Sequence, residues 1–470
     1  MNNNMRAVLR IAATIFGLTF GLAVPVLSRA QADANQGTQQ QIGLAPSTAS
    51  QTSESTSSAE GQMTSVDTPA RVAGDPSAPA QQTAPASTPA ASGSTPSQDQ
   101  AQPPAAAPAA APMPLPMPSM TAPLSTAAPA HTFDGGPFGN LAITGILSGL
   151  GMIQDNWVPG DQPSHWDVSN AQVFLQKTTG WWQFYFQGGA YNLPDLGVPF
   201  ISTNKTIANF FGPLPIGFVK LVKGGFSVEV GELPTLIGAE YTFSFENTNI
   251  ERGLLWNQEN AVNRGIQLNE AYKKLSASLS WNDGFYSNRY TWLTGSLAWA
   301  FNSANTLSFV AGGNAGQYAK NTLATPLALN NSQIYEVIYT YAKGNWYIQP
   351  YWQYTNVPTN TSIGIAKGAT TDGFALLFNY NFKHGLSLAL RPEYISSSGT
   401  VANGAVNLLY GPGSSAFAFT ATPTYQKGGF FTRIDLSVAD ARDFTKGAAF
   451  GPLGLNSTQT RGVIEAGVMF

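Results

Sequence analysis

Phe374, Leu376, Phe378, Tyr380 and Phe382 all fall on one parity of a nine-residue run. In a strand, successive side chains point to opposite faces, so this alternation describes a strand with one apolar face. The same period returns from Leu386 to Arg391 and from Leu275 to Trp281. Two kinds of connection separate such segments. Short ones lie at Lys177–Gly180, Lys223–Gly225, Lys273–Lys274, Asn302–Asn305, Lys343–Asn345, Lys383–Gly385 and Lys427–Gly429. Gly and Asn there supply the positive φ that tight hairpins need. Longer loops rich in Gly, Pro and Asn are centred near Gly160, Lys205, Asn249, Phe285, Thr322, Ser362, Gly404 and Phe450. Seven short turns and eight long loops predict about sixteen antiparallel strands, an all-β fold spanning 139–470.

Which face meets which solvent follows from the charges. Arg391 and Glu393, Arg433 and Asp435, and Arg461 and Glu465 sit on the parity opposite Leu390, Tyr394, Ile434, Leu436 and Ile464. A Lys or Arg facing lipid at mid-membrane costs about 2–4 kcal/mol, whereas a watery lumen tolerates it. The apolar parity therefore faces lipid, and the polar parity lines the lumen of a transmembrane β-barrel. Trp181, Trp182, Trp281, Tyr290, Trp292, Trp299, Phe301, Tyr339, Tyr341, Trp346, Trp352, Tyr354 and Tyr425 gather at strand ends, as interfacial girdles do. A soluble β-sandwich or propeller also alternates, but needs neither such girdles nor a strict exchange of short and long connections. A sixteen-stranded barrel is wide enough for an aqueous channel.

The N-terminal part differs in kind. Arg6 and Arg10 precede an apolar core from Ile11 to Leu27, and small residues follow around Ala30 and Ala32. This reads as a signal peptide over 1–32; an anchor helix is the alternative. Residues 33–138 are built from Ala, Pro, Ser, Thr and Gln, with seven acidic residues and one basic. Such a stretch buries too little apolar surface to offset its ordering entropy. The expectation is a disordered periplasmic tether, either a simple spacer or one that reaches the cell wall, where peptidoglycan is a candidate partner.

Composition narrows the chemistry. With no Cys, disulfides, thiolate metal sites and Cys nucleophiles are excluded. The three His residues fall in the tether (His131), the first long loop (His165) and a short turn (His384), so no two share a rim. No metal spacing, phosphate loop or nucleotide motif appears, and a net charge of -3 gives nucleic acid no electrostatic support. The expectation is no enzyme, no cofactor and no metal.

The third long loop, after the fifth predicted strand, mixes Leu254, Leu255 and Trp256 with Glu240, Glu246, Glu251, Arg252 and Glu259. Exposed in water, it would leave apolar surface unburied. Folding into the lumen is the expected solution; an ordinary external loop is the alternative. The segments Gly231–Pro234, Ile237–Glu240, Asn249–Trp256 and Val262–Gln267 resemble the putative β-barrel porin-2, OmpL-like family of Gram-negative bacteria. The resemblance implies an outer-membrane diffusion channel with no catalytic or ligand residues to carry over. The end of the chain, Gly467–Phe470, resembles the outer-membrane assembly signal, with Phe470 as its aromatic terminus, which implies the barrel-assembly machinery as a partner. Resemblance to sixteen-stranded general porins implies a homotrimer.

The reading is therefore a passive channel for small hydrophilic solutes in outer-membrane lipid, constricted by the third loop. The rival is a structural anchor for a wall-binding tether. Constriction candidates are Glu240, Glu246, Glu251, Arg252, Glu259 and Arg264, facing Arg391, Glu393, Arg433, Asp435, Arg461 and Glu465. An acidic loop opposite a basic wall is expected to set a transverse field, weakened by the wall's own carboxylates.

Overall fold

The computed structural model describes Leu124 and residues 131–470. The signal peptide and the tether up to residue 130, Leu124 apart, lie outside the described residues. Among the described residues, one antiparallel sheet holds all strands. In chain order they are β1 (His131–Asp134), β2 (Asn140–Gln154), β3 (Ser164–Lys177), β4 (Trp182–Tyr191), β5 (Ile216–Lys223), β6 (Phe226–Pro234) and β7 (Val262–Tyr272). There follow β8 (Leu275–Asn282), β9 (Trp292–Asn302), β10 (Asn305–Asn314), β11 (Gln333–Lys343), β12 (Trp346–Val357) and β13 (Ala369–Asn381). The last four are β14 (Leu386–Ser397), β15 (Ser415–Lys427), β16 (Phe430–Arg442) and β17 (Thr458–Met469).

Each strand from β2 to β17 pairs with the next, and β17 pairs back onto β2 from Arg461↔Gln154 to Met469↔Ile146. This closes the sixteen-stranded barrel that the turn pattern predicts. Closure leaves no strand edge facing lipid, where an unpaired amide has no water to bond.

β1 was not anticipated; it lies in the stretch read as tether. β2 extends five residues beyond the end of the chain, because Phe470 pairs with Gly145 while β2 begins at Asn140. β1 fills that edge, from His131↔Ile143 to Asp134↔Asn140, and Gly135–Gly139 turn the chain back into β2. The cause is an otherwise bare run of backbone donors and acceptors. Leu124 is also buried, against Ile146, Phe174, Tyr185, Phe431 and Met469.

The facing rule holds along the strands. Arg433 is 1% exposed and Leu436, on the other parity, 58%. On β13, β15 and β16 the inward positions Ala375, Ala416, Ala418, Ala439 and Ala441 are small and fully buried. Side chains this short leave room in the lumen, and what fills it is loop.

Candidate pore constriction

The third loop, residues 235–261 between β6 and β7, lies inside the barrel. From Thr242 to Asn263 every residue except Asn257 is buried. Its apolar residues explain why. Ile237, Leu254 and Leu255 pack with wall residues Tyr351, Ala375, Leu377 and Ile395. Phe243, Phe245 and Trp256 pack with Phe174, Tyr185, Tyr191 and Phe431.

Polar contacts fix the loop along an unbroken arc of wall. The Gly238 amide donates to Glu336 of β11 at 2.8 Å, and Gln353 of β12 donates to the Leu255 carbonyl at 3.1 Å. Leu255 lies against Gly373 of β13. Arg391 of β14 donates to Glu240 at 2.5 Å, and Asn249 donates to Thr422 of β15 at 2.6 Å. Asp435 of β16 accepts from the Ile250 and Glu251 amides at 2.8 and 2.9 Å. Arg461 of β17 reaches Glu251 at 2.9 Å. Ile250 packs on Leu150 and Met152 of β2, Asn170 of β3 donates to Ser244 at 2.8 Å, and Phe243 meets Tyr191 of β4 edge-on. The arc runs from β11 through β17 to β4. The loop's side chains thus line the lumen beside all these strands.

The candidate charges fall into three buried pairs and their satellites. Arg391 binds Glu240 and, at 3.2 Å, Glu393; it also donates to the Glu251 carbonyl at 2.6 Å. Arg433 holds Glu465 at 2.7 Å and donates to the Asn247 carbonyl at 2.9 Å. Arg461 holds Glu251, Gln154 and the carbonyls of Asp195 and Val198. Glu240 and Glu393 also accept loop amides, from Gly253 at 2.8 Å and Leu254 at 3.2 Å. A Cβ on Gly253 would overlap the Glu393 carboxylate, so any larger residue there requires that side chain to shift. The loop's carboxylates and the wall's arginines meet directly rather than across an open gap. They are in contact and buried, with Arg391 between Glu240 and Glu393, Arg433 on Glu465 and Arg461 on Glu251, so most of the charge is paired rather than held apart.

Three candidates sit apart from these pairs. Glu246 turns back to accept its own loop's Phe243 amide at 3.0 Å. Arg252 bonds Asp195 of the second loop (192–215) at 2.9 Å. Arg264 leaves the network altogether, bonding Asp283 at 2.9 Å and the Tyr286 carbonyl at 3.1 Å. Its position at the start of β7 suits the next loop better than the third. Sequence reasoning missed Asp195, Glu336, Gln154 and Ser244. Inward parity marks Glu336 and Gln154; no local signal marks the two loop residues.

Glu259, on the loop rather than on a strand, is buried with no hydrogen bond to either carboxylate oxygen among the described residues. Burial first, then the neighbouring Glu336, Glu240 and Glu393 carboxylates, hold its carboxyl well above the ordinary 4.5. A carboxyl raised on folding favours the protonated form. Its contribution is fully present below the unfolded value and is lost as pH rises through the folded one. Glu259→Gln is therefore expected to match the parent at pH 4 and to exceed it in heat resistance at pH 8. Gel-shift melting at both pH values checks this; a variant less stable at pH 8 contradicts it.

Among curated proteins there is no match to the chain. Among solved structures, the anion-selective porin from Comamonas acidovorans is similar at 12% identity, over 70% of this chain and 99% of that one, with a TM-score of 0.50. Outer-membrane expressed OmpT of Vibrio cholerae aligns at 11% identity over 70% and 98%, with a TM-score of 0.48. The outer membrane channel DcaP of Acinetobacter baumannii aligns at 11% over 70% and 97%, with a TM-score of 0.47. The first of these shares the fold. The family model described as "Putative beta-barrel porin-2, OmpL-like" matches residues 140–470, the whole of β2 to β17. The chain belongs to that porin family, which points to an outer-membrane channel.

Proposed function

We propose that the protein is a passive channel for small hydrophilic solutes, with the third loop as its constriction and the passage running along β5 to β9. The observation that carries this is the one-sided seating of the loop against the arc from β11 to β4. The opposite wall is lined by Ser227, Gln267, Asn269 and Ser278, which bond to one another at 2.7–3.3 Å, and Gln267 also donates to Glu229 at 3.4 Å. Amide and hydroxyl side chains exchange hydrogen bonds with passing solutes without imposing a charge. The charged pair on this wall, Lys220 and Glu229, is 2.9 Å apart and neutral overall.

Conductance in planar bilayers tests the channel, and liposome swelling with uncharged sugars of graded size tests the solute class. A folded barrel that stays silent in both supports the rival reading, a structural outer-membrane anchor whose Pro-rich tether contacts the cell wall. Lys220→Gln is expected to leave Glu229 uncompensated and shift ion preference roughly twofold toward cations, a fraction of a kcal/mol at physiological salt. Lys220→Gln with Glu229→Gln should restore the parent ratio. An unchanged ratio in the single variant removes this wall from the passage.

Three copies associate on this reading, supported by the strand number; light scattering in mild detergent would show a monomer if it is wrong. Phe470, exposed on the lipid side, serves as the signal read by the assembly machinery.

A further inference from the structure

Three short turns share a pattern that the channel does not use. Lys223-Gly224-Gly225-Phe226, Lys343-Gly344-Asn345-Trp346 and Lys427-Gly428-Gly429-Phe430 each place a Lys and an aromatic across a two-residue turn. The register pairs them directly: Lys223↔Phe226, Lys343↔Trp346 and Lys427↔Phe430. All six residues are exposed. Alternation along β5, β11 and β15 puts the three lysines on the parity of Val219, Tyr341 and Phe417, which faces lipid, and not on the parity of the lumen. Lys273, Lys274 and Lys383 add exposed charge on the same rim. Opposing carboxylates nearby are Glu270, across from Phe226, and Asp134. Lys177 is not part of the set; its ammonium is taken by the Thr179 and Trp182 carbonyls.

We propose that this rim binds the headgroups of anionic glycerophospholipids in the periplasmic leaflet. Each aromatic ring sits at the boundary of the hydrocarbon, as interfacial aromatics do. The Lys directly across the hairpin from it can lay its apolar stem beside the ring and extend its ammonium out to the phosphate layer. A soluble polyanion would favour a continuous patch open to water. These lysines are instead spread around the circumference and turned to the lipid side, which only the bilayer surface matches. A lysine near an anionic surface contributes about fivefold in association. The ring would therefore gather an annulus of phosphatidylglycerol-type lipid.

The test uses the full-length protein in mixed vesicles with spin-labelled lipids. The parent is expected to prefer labelled phosphatidylglycerol over phosphatidylcholine several-fold, and 0.5 M NaCl should weaken that preference. The triple variant Lys223→Gln, Lys343→Gln, Lys427→Gln should cut that preference at least by half, Lys273, Lys274 and Lys383 remaining, while keeping conductance and heat-modifiability. Lys320→Gln with Lys367→Gln and Lys446→Gln, on the long-loop side, should keep the parent ratio. An undiminished preference in the triple variant overturns the proposal. So does loss of binding to soluble cell-wall fragments with the lipid ratio unchanged, which would assign the rim to the wall polymer.

Discussion

Excising Glu246 to Asn257 and rejoining Phe245 to Gln258 is expected to raise single-channel conductance on the order of threefold, toward that of an unfilled sixteen-stranded barrel. The excision takes out the segment that covers Asp435, Arg433 and Arg461. Arg433 keeps Glu465 and Arg391 keeps Glu240 and Glu393, but Arg461 loses Glu251. Asp195 loses Arg252 as well, so a freed carboxylate offsets the freed guanidinium and ion preference should change little. If conductance stays the same in a barrel that is still heat-modifiable, the loop does not limit the pore.

Arg461→Met carries the second large effect. Arg461 ties two loops at once, through Glu251 of the third and the Asp195 and Val198 carbonyls of the second. Removing one partner of a buried pair costs about 3–5 kcal/mol, because the other charge is left without compensation. Glu251 would keep only the Ser437 hydroxyl, at 3.1 Å. The expected outcome is a heat-modifiability midpoint several degrees lower, protease cutting inside the third loop and noisier channel current. Glu251→Gln added to Arg461→Met should recover part of each loss, since a neutral amide has no charge to strand. A parent-like midpoint and digestion pattern in the single variant would show that the pair does not hold the loop.

How much of this was legible depended on range. Parity needs only neighbours two apart, so the inward Arg391, Arg433 and Arg461 and the outward Tyr394 and Leu436 could be read directly. Turn chemistry is as local, and it carried the strand count. The pairing of charges is not local: Glu251 and Arg461 stand 210 residues apart, and no spacing rule connects them. For the same reason Arg264 was grouped with the constriction although it serves Asp283, and Asp195 was overlooked. The four residues of β1 were hidden by composition. They form a strand because β2 offers them an edge, and that edge exists only once the barrel has closed.

The row of alanines on the inner face of β13, β15 and β16 has a consequence for how such channels diversify. The loop rests where those side chains stop, so the bore is calibrated from the wall as much as from the loop. A methyl exchanged for a longer chain at Ala375 or Ala418 would displace the loop toward β5 to β9 without altering one of its own residues. Calibre could then drift through neutral-looking, conservative changes on strands, while the loop sequence, tied to its ion pairs, stays fixed.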